Sequence, residues 1–103
     1  MPHGNYAFLA MSENKPTAQL PEVTFSTFVI SLGSSALVHL GEVPDPNTEK
    51  LRPDKVLAKN SIDLLNMLQA KTKGNLDDKE RQLLESLLFD LKMKYVKNFA
   101  GKN

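Results

Sequence analysis

The chain has 103 residues, 41% hydrophobic and 24% charged, and its 13 Lys+Arg against 12 Asp+Glu leave a net charge of +1. That length holds one small domain, and so balanced a charge provides no global field steering the chain to nucleic acid or to an acidic membrane. With no cysteine, a disulfide scaffold, a thiolate metal site and a Cys nucleophile are all excluded.

Tryptophan is absent too, so any core is built mainly from Leu, Val, Ile, Met and Ala. Residues 1–22 carry Pro2, Gly4, Pro16 and Pro21 among Asn, Ser, Thr and Gln. They read as a disordered N-terminal arm with one small apolar cluster, Tyr6, Phe8 and Leu9. The beginning is not expected to be a signal peptide: it lacks a basic n-region, and its apolar run from Tyr6 to Met11 is short. The domain proper is expected at 23–98, with a short flexible tail at 99–103. A domain of that size is marginal as a monomer, and self-association is a common remedy.

The chain is organised around Val23–Gly41, which contains no Lys, Arg, Asp or Glu. Phe25, Phe28, Val29, Leu32, Ala36 and Leu40 recur at helical spacing, and Ile30, Gly33 and Leu37 do so on another side. Thr24 or Ser26 is a suitable N-cap, and Gly41 stands where a left-handed residue ends a helix. Apolar residues nearly all round this segment predict burial on more than one side. Its length is near the minimum for crossing a bilayer. Its four Ser, two Thr and His39, and the lack of flanking Lys/Arg anchors, argue for a bundle helix over a membrane span.

Val43-Pro44-Asp45-Pro46-Asn47 cannot continue a helix. After Pro53, Asp54 is a good N-cap for a second helix to about Lys73. Its stripe is Leu57, Ser61, Leu64, Leu65 and Leu68, widened by Ala58, Ile62 and Met67, and Gly74 stops it. Asp77-Asp78-Lys79-Glu80 has the form of a capping box. The third helix, to about Lys97, carries Leu83, Leu84, Leu87, Leu88, Leu91, Tyr95 and Val96. The short link at Gly74-Asn75 predicts an antiparallel αα-hairpin.

Few residues invite chemistry. Thr27, Ser31, Ser35 and His39 repeat every four residues and form one ridge of the first helix. A Ser one turn from a His has the elements of a nucleophile and base. No acid on that helix orients His39, however, and no oxyanion donors accompany the pair. A close-packing seam of small residues, with hydroxyls bonded back to backbone carbonyls, explains the ridge better. His3 and His39 share no metal-ligand spacing, and the nearby Glu42, Asp45 and Glu49 match no metal loop. Asp77, Asp78 and Glu80 are capping groups without the cleft that paired catalytic acids need. Lys92, Lys94, Lys97 and Lys102 interleave with Tyr95 and Phe99 but include no Arg, so a solvated helix end is expected there, not a nucleic-acid site.

The run FSTFVISLGSSALVHLGEVPDP, followed by AKNSIDLLNMLQAKTKGNL and LLESLLFDLKMKYV, resembles a small bacterial family catalogued as domain of unknown function 1844. The likeness extends from about Phe25 to Val96, with Gly33 standing where a small residue such as Ala is the expectation. It implies a bacterial, intracellular, helical protein, and it brings no activity or catalytic residue with it.

The expectation is therefore an all-α domain of three helices, about 24–41, 54–73 and 77–97, the hydrophobic first helix packed on the hairpin. One hairpin covers only part of the first helix, so a homodimer through Phe25, Thr27, Phe28, Ile30, Ser31, Gly33, Ser35, Leu37 and His39 is expected. The closest approach would lie at the Thr27/Ser31/Ser35 ridge and Gly33. The functional expectation is a non-enzymatic, cytoplasmic protein-interaction module whose site is an apolar face of the first helix or the groove between helices, served by the N-terminal arm, open also to another protein partner, with no cofactor, metal, nucleic acid or membrane. A small enzyme or ligand-binding protein using Ser35, His39 and Glu42, and membrane association through the first helix, are the alternatives.

Overall fold

The computed structural model describes residue 20 and residues 22–99. Most of the expected arm, with His3 and the Tyr6/Phe8/Leu9 cluster, and the end of the tail with Lys102, lie outside the described residues. Three helices make up the fold: α1, Phe25–Leu40; α2, Lys55–Lys71; and α3, Asp78–Phe99. Each helix packs against both others.

The ends of α1 are fixed by local chemistry. Thr24 is the N-cap: its Oγ1 accepts from the Thr27 N–H at 3.0 Å, and Thr27 Oγ1 accepts from the Thr24 N–H at 3.1 Å. This is a capping box in which a second Thr replaces the usual Glu. At the other end Gly41 has φ +79 and donates to the Val38 carbonyl, while the Glu42 N–H reaches the Leu37 carbonyl, both at 3.0 Å. Those are the two bonds of a Schellman stop. Gly41 has a second reason to lack a side chain, since an added Cβ would lie 3.0 Å from Pro53 Cβ.

The loop to α2 is turned by Asp45, whose Oδ1 accepts from the Asn47 N–H at 2.7 Å, an Asx turn. The Asp54 N–H then donates to the His39 carbonyl at 2.7 Å, tying the start of α2 to the end of α1. Asp54 also caps α2, accepting from the Leu57 N–H at 3.0 Å. The α2–α3 turn passes through Gly74 at φ +84. The capping box expected at α3 is present in both directions: Asp77 N–H to Glu80 Oε1 at 3.0 Å and Glu80 N–H to Asp77 Oδ1 at 2.8 Å. The helix runs to Phe99, two residues past the expected end and into the expected tail. Phe99 packs on the core and meets Tyr95 at 5.3 Å between ring centroids.

Val29, Ala36 and Leu40 of α1, Ala58, Ile62 and Leu65 of α2, and Leu84, Leu88 and Leu91 of α3 form the buried core. Full burial of each Leu removes apolar surface from water at about 1.5–3 kcal/mol. The buried stripes are narrower than the apolar stripes in the sequence. Phe28, Leu57, Leu64, Met67 and Val96 fall outside them and are exposed, because a helix in a three-helix arrangement meets only two neighbours and buries one sector of its circumference.

Candidate functional site

The residues expected at a homodimer seam divide into two sets. Phe25 and Leu37 are half-buried against the chain's own core. Gly33 is buried, and an added Cβ would sit 2.9 Å from Leu87 Cδ2. The close approach that Gly33 permits is therefore made by α3 of the same chain, because the two hairpin helices flank α1 on both sides. The other set faces outward. Phe28 is 49% and Ile30 52% exposed, on opposite flanks of the solvent side of α1, with Ser31 between them by helical geometry. Ser34 and Ser35 are also exposed, and Thr27 is partly so.

Two hydroxyls of the Thr27–Ser31–Ser35–His39 ridge are engaged with backbone. Thr27 Oγ1 donates to the Glu22 carbonyl at 2.7 Å, besides its part in the N-cap. Ser31 Oγ donates to the Phe28 carbonyl at 2.8 Å, three residues back along the helix. Ser35 and His39 do share an open recess of about 240 Å³ with Ser34, Val38, Asp45, Pro46 and Asn47. The acid there is Asp45, not Glu42. Among the described residues no hydrogen bond links Ser35 to His39 or His39 to Asp45, and Asp45 Oδ1 is engaged with the Asn47 N–H. The side chains needed for a proton relay are neighbours without being a relay.

Glu42 belongs to a different cluster. Its Oε2 accepts from Asn98 Nδ2 at 2.8 Å and pairs with Lys97 Nζ at 3.0 Å. The Asn98 hydrogen bond, then the Lys97 bond, hold its carboxyl below the ordinary Glu range. The basic end of α3 is similarly occupied: Lys94 Nζ pairs with Asp90 at 2.7 Å, and Tyr95 and Phe99 pack on the core. Among the described residues no group of three His, Asp or Glu is placed to hold a metal.

A further apolar surface lies between α2 and α3. Val56 is 76% and Val96 58% exposed there. Two adjoining recesses of about 390 and 210 Å³ share Lys59, Asp63 and Tyr95; Lys55, Val56 and Asn60 complete the first, and Ile62, Lys92 and Val96 the second. The sequence expectation of a groove between helices named none of its residues. On α3, Phe89, Met93 and Val96, spaced four and three residues apart, form a second apolar stripe roughly 140° from the core stripe, of which Val96 lines the second recess. A depression of about 580 Å³ opens at the hairpin turn between Asn66, Gln69, Thr72 and Arg81. Arg81 is held there above its ordinary pKa by its hydrogen bond to Asp78 and by Glu85, 3.8 Å away, in a solvent-exposed ion pair.

Among the described residues no helix is long and apolar enough to cross a membrane, α1 included at 16 residues. No curated protein and no solved structure gives a significant match to this chain. The family model described as a domain of unknown function, DUF1844, matches residues 22–97, from the residue that receives the Thr27 hydroxyl to the lysine that pairs with Glu42, and the chain belongs to that family.

Proposed function

We propose that this domain is a non-enzymatic, cytoplasmic interaction module that pairs with a second copy of itself through the solvent face of α1. The observation that carries this reading is the chemistry of that face. Phe28 and Ile30 are half-exposed, and the helix has no Lys, Arg, Asp or Glu from Phe25 to Leu40. Monomeric surfaces are normally dotted with such charges. A two-fold interface sets a patch against itself, so a charge-free patch pairs without like-charge repulsion. Ser31 and Ser35 have small side chains that let two helix backbones approach, with Phe28 and Ile30 closing over the flanks. Phe28 and Ile30 are already half covered, so burying the rest of four such residues per dimer contributes about half of the 1.5–3 kcal/mol of full burial each, against an association cost of about 4–15 kcal/mol. The pairing is therefore of modest strength and concentration-dependent.

Size-exclusion chromatography with light scattering across a dilution series tests this. The expected result is twice the monomer mass at high concentration, falling on dilution. A well-folded monomer at every concentration overturns the reading. The enzyme alternative has the Ser35–His39–Asp45 recess in its favour but no hydrogen-bonded relay, and it ranks second.

A further inference from the structure

We infer that the α2–α3 groove is a docking site for an acidic amphipathic helix of another protein. Its floor is apolar: Val56, Ile62, Tyr95 and Val96 line the two adjoining recesses. On the α2 side the lining runs from Lys55 to Asp63, and on the α3 side it is Lys92, Tyr95 and Val96. That is an apolar track about two helical turns long, the size of surface that receives one helix through anchors spaced three and four residues apart.

Charge decides the occupant. The rim consists of Lys55, Lys59 and Lys92 with one acid, Asp63. Asp63 is already paired with Lys59 at 2.8 Å, while Lys55 and Lys92 take part in no ion pair among the described residues. A second copy of this chain is disfavoured here, because two-fold pairing would bring one basic rim against another. An acidic helix sets Glu or Asp against Lys55 and Lys92 while its apolar stripe covers the floor. The uncharged face of α1 and the basic-rimmed groove of the hairpin thus suit two different partners. The groove does not depend on the proposed self-pairing.

The probe is a synthetic amphipathic peptide of about five turns, with Leu at i, i+3, i+4 and i+7 and Glu elsewhere. A control peptide carries Lys in place of every Glu. Each is titrated into the full-length, isotope-labelled chain and followed by amide shifts in NMR spectra. The acidic peptide is expected to give saturable shifts centred on residues 55–63 and 92–96, weakening as salt rises. The double variant K55E/K92E is expected to lose roughly tenfold in affinity for the acidic peptide and to gain affinity for the basic one. Circular dichroism of that variant confirms that the helices are retained. Phe28→Asp, placed on the other face, is expected to bind the acidic peptide as the unaltered chain does. Equal binding of the two peptides, shifts centred on α1, or no binding by either peptide overturns the inference. Concentration-dependent shifts of residues 55–63 and 92–96 in the chain alone overturn it in favour of a second copy.

Discussion

Asn98, near the end of α3, donates to the Glu42 carboxylate at 2.8 Å and, from the same amide nitrogen, to the Leu40 carbonyl at 3.1 Å. One side chain thus satisfies an end-of-helix carbonyl of α1 and the first acid beyond it, latching the two chain-distant helices together. Asn98→Ala should cost about 0.5–1.5 kcal/mol for the bond to Leu40 alone, with a further loss from the Glu42 contact. Urea denaturation monitored at 222 nm checks it. Asn98→Asp should be worse than Ala, because it sets a second carboxylate beside Glu42.

The same latch has a pH dependence. The Glu42 carboxyl sits below its ordinary value of 4.5 because Asn98 and Lys97 stabilise its charged form. A carboxyl depressed in the folded state stabilises the fold above its unfolded pKa, and that contribution is lost as pH falls through the folded pKa. The Tm difference between the unaltered chain and Glu42→Gln should therefore be largest near neutrality and should shrink as pH is lowered through and below 4.5. A difference that stays constant with pH would mean that the carboxylate charge contributes nothing.

Gly33 tests how closely α1 and α3 approach. An added methyl would meet Leu87 Cδ2 at 2.9 Å and Cδ1 at 3.0 Å, the movable end of a side chain. Gly33→Ala should be near neutral, because the helix-propensity gain of about 1 kcal/mol offsets a small displacement of Leu87. Gly33→Ile should destabilise by about 1–3 kcal/mol through overpacking. A Gly33→Ile variant as stable as the unaltered chain would show that the two helices are not in contact there.

Helix-start chemistry predicts a pair of surface variants with clear costs. Thr24→Ala removes the acceptor for the Thr27 N–H, and Asp77→Ala removes the acceptor for the Glu80 N–H. Each should lose about 1 kcal/mol. Thr27→Ser keeps the hydroxyl that bonds Thr24 and Glu22 and should lose less than Thr27→Val, which removes it. Thermal melts of the four variants decide.

The self-pairing of α1 and any chemistry at His39 are separated by two further substitutions. Phe28→Asp should leave the fold intact, since Phe28 is half-exposed, and should shift the species observed by light scattering to monomer. His39→Ala should lower Tm modestly with no loss of self-association. A hydrolytic activity toward activated esters that vanishes in His39→Ala and in Ser35→Ala would instead support the enzyme reading.

The sequence by itself determined the helices, because their ends depend on local chemistry. Thr24, Asp54 and Asp77 are caps, Gly41 is a left-handed stop, and prolines bar helix from the first loop. These features act within a few residues and can be read along the chain. It also determined the core leucines at helical spacing and the uncharged character of α1. Only the tertiary structure decided which apolar flank of each helix is covered. Gly33, Phe25 and Leu37 turn to the hairpin, while Phe28, Ile30 and Val96 stay exposed, although spacing alone made them equal candidates. The acid beside His39 was likewise decided by the fold of the loop, which brings Asp45 back and sends Glu42 to Asn98, 56 positions further on. Helical periodicity reports that a side is apolar; which neighbour covers that side depends on how three helices share one core, and no local pattern encodes it.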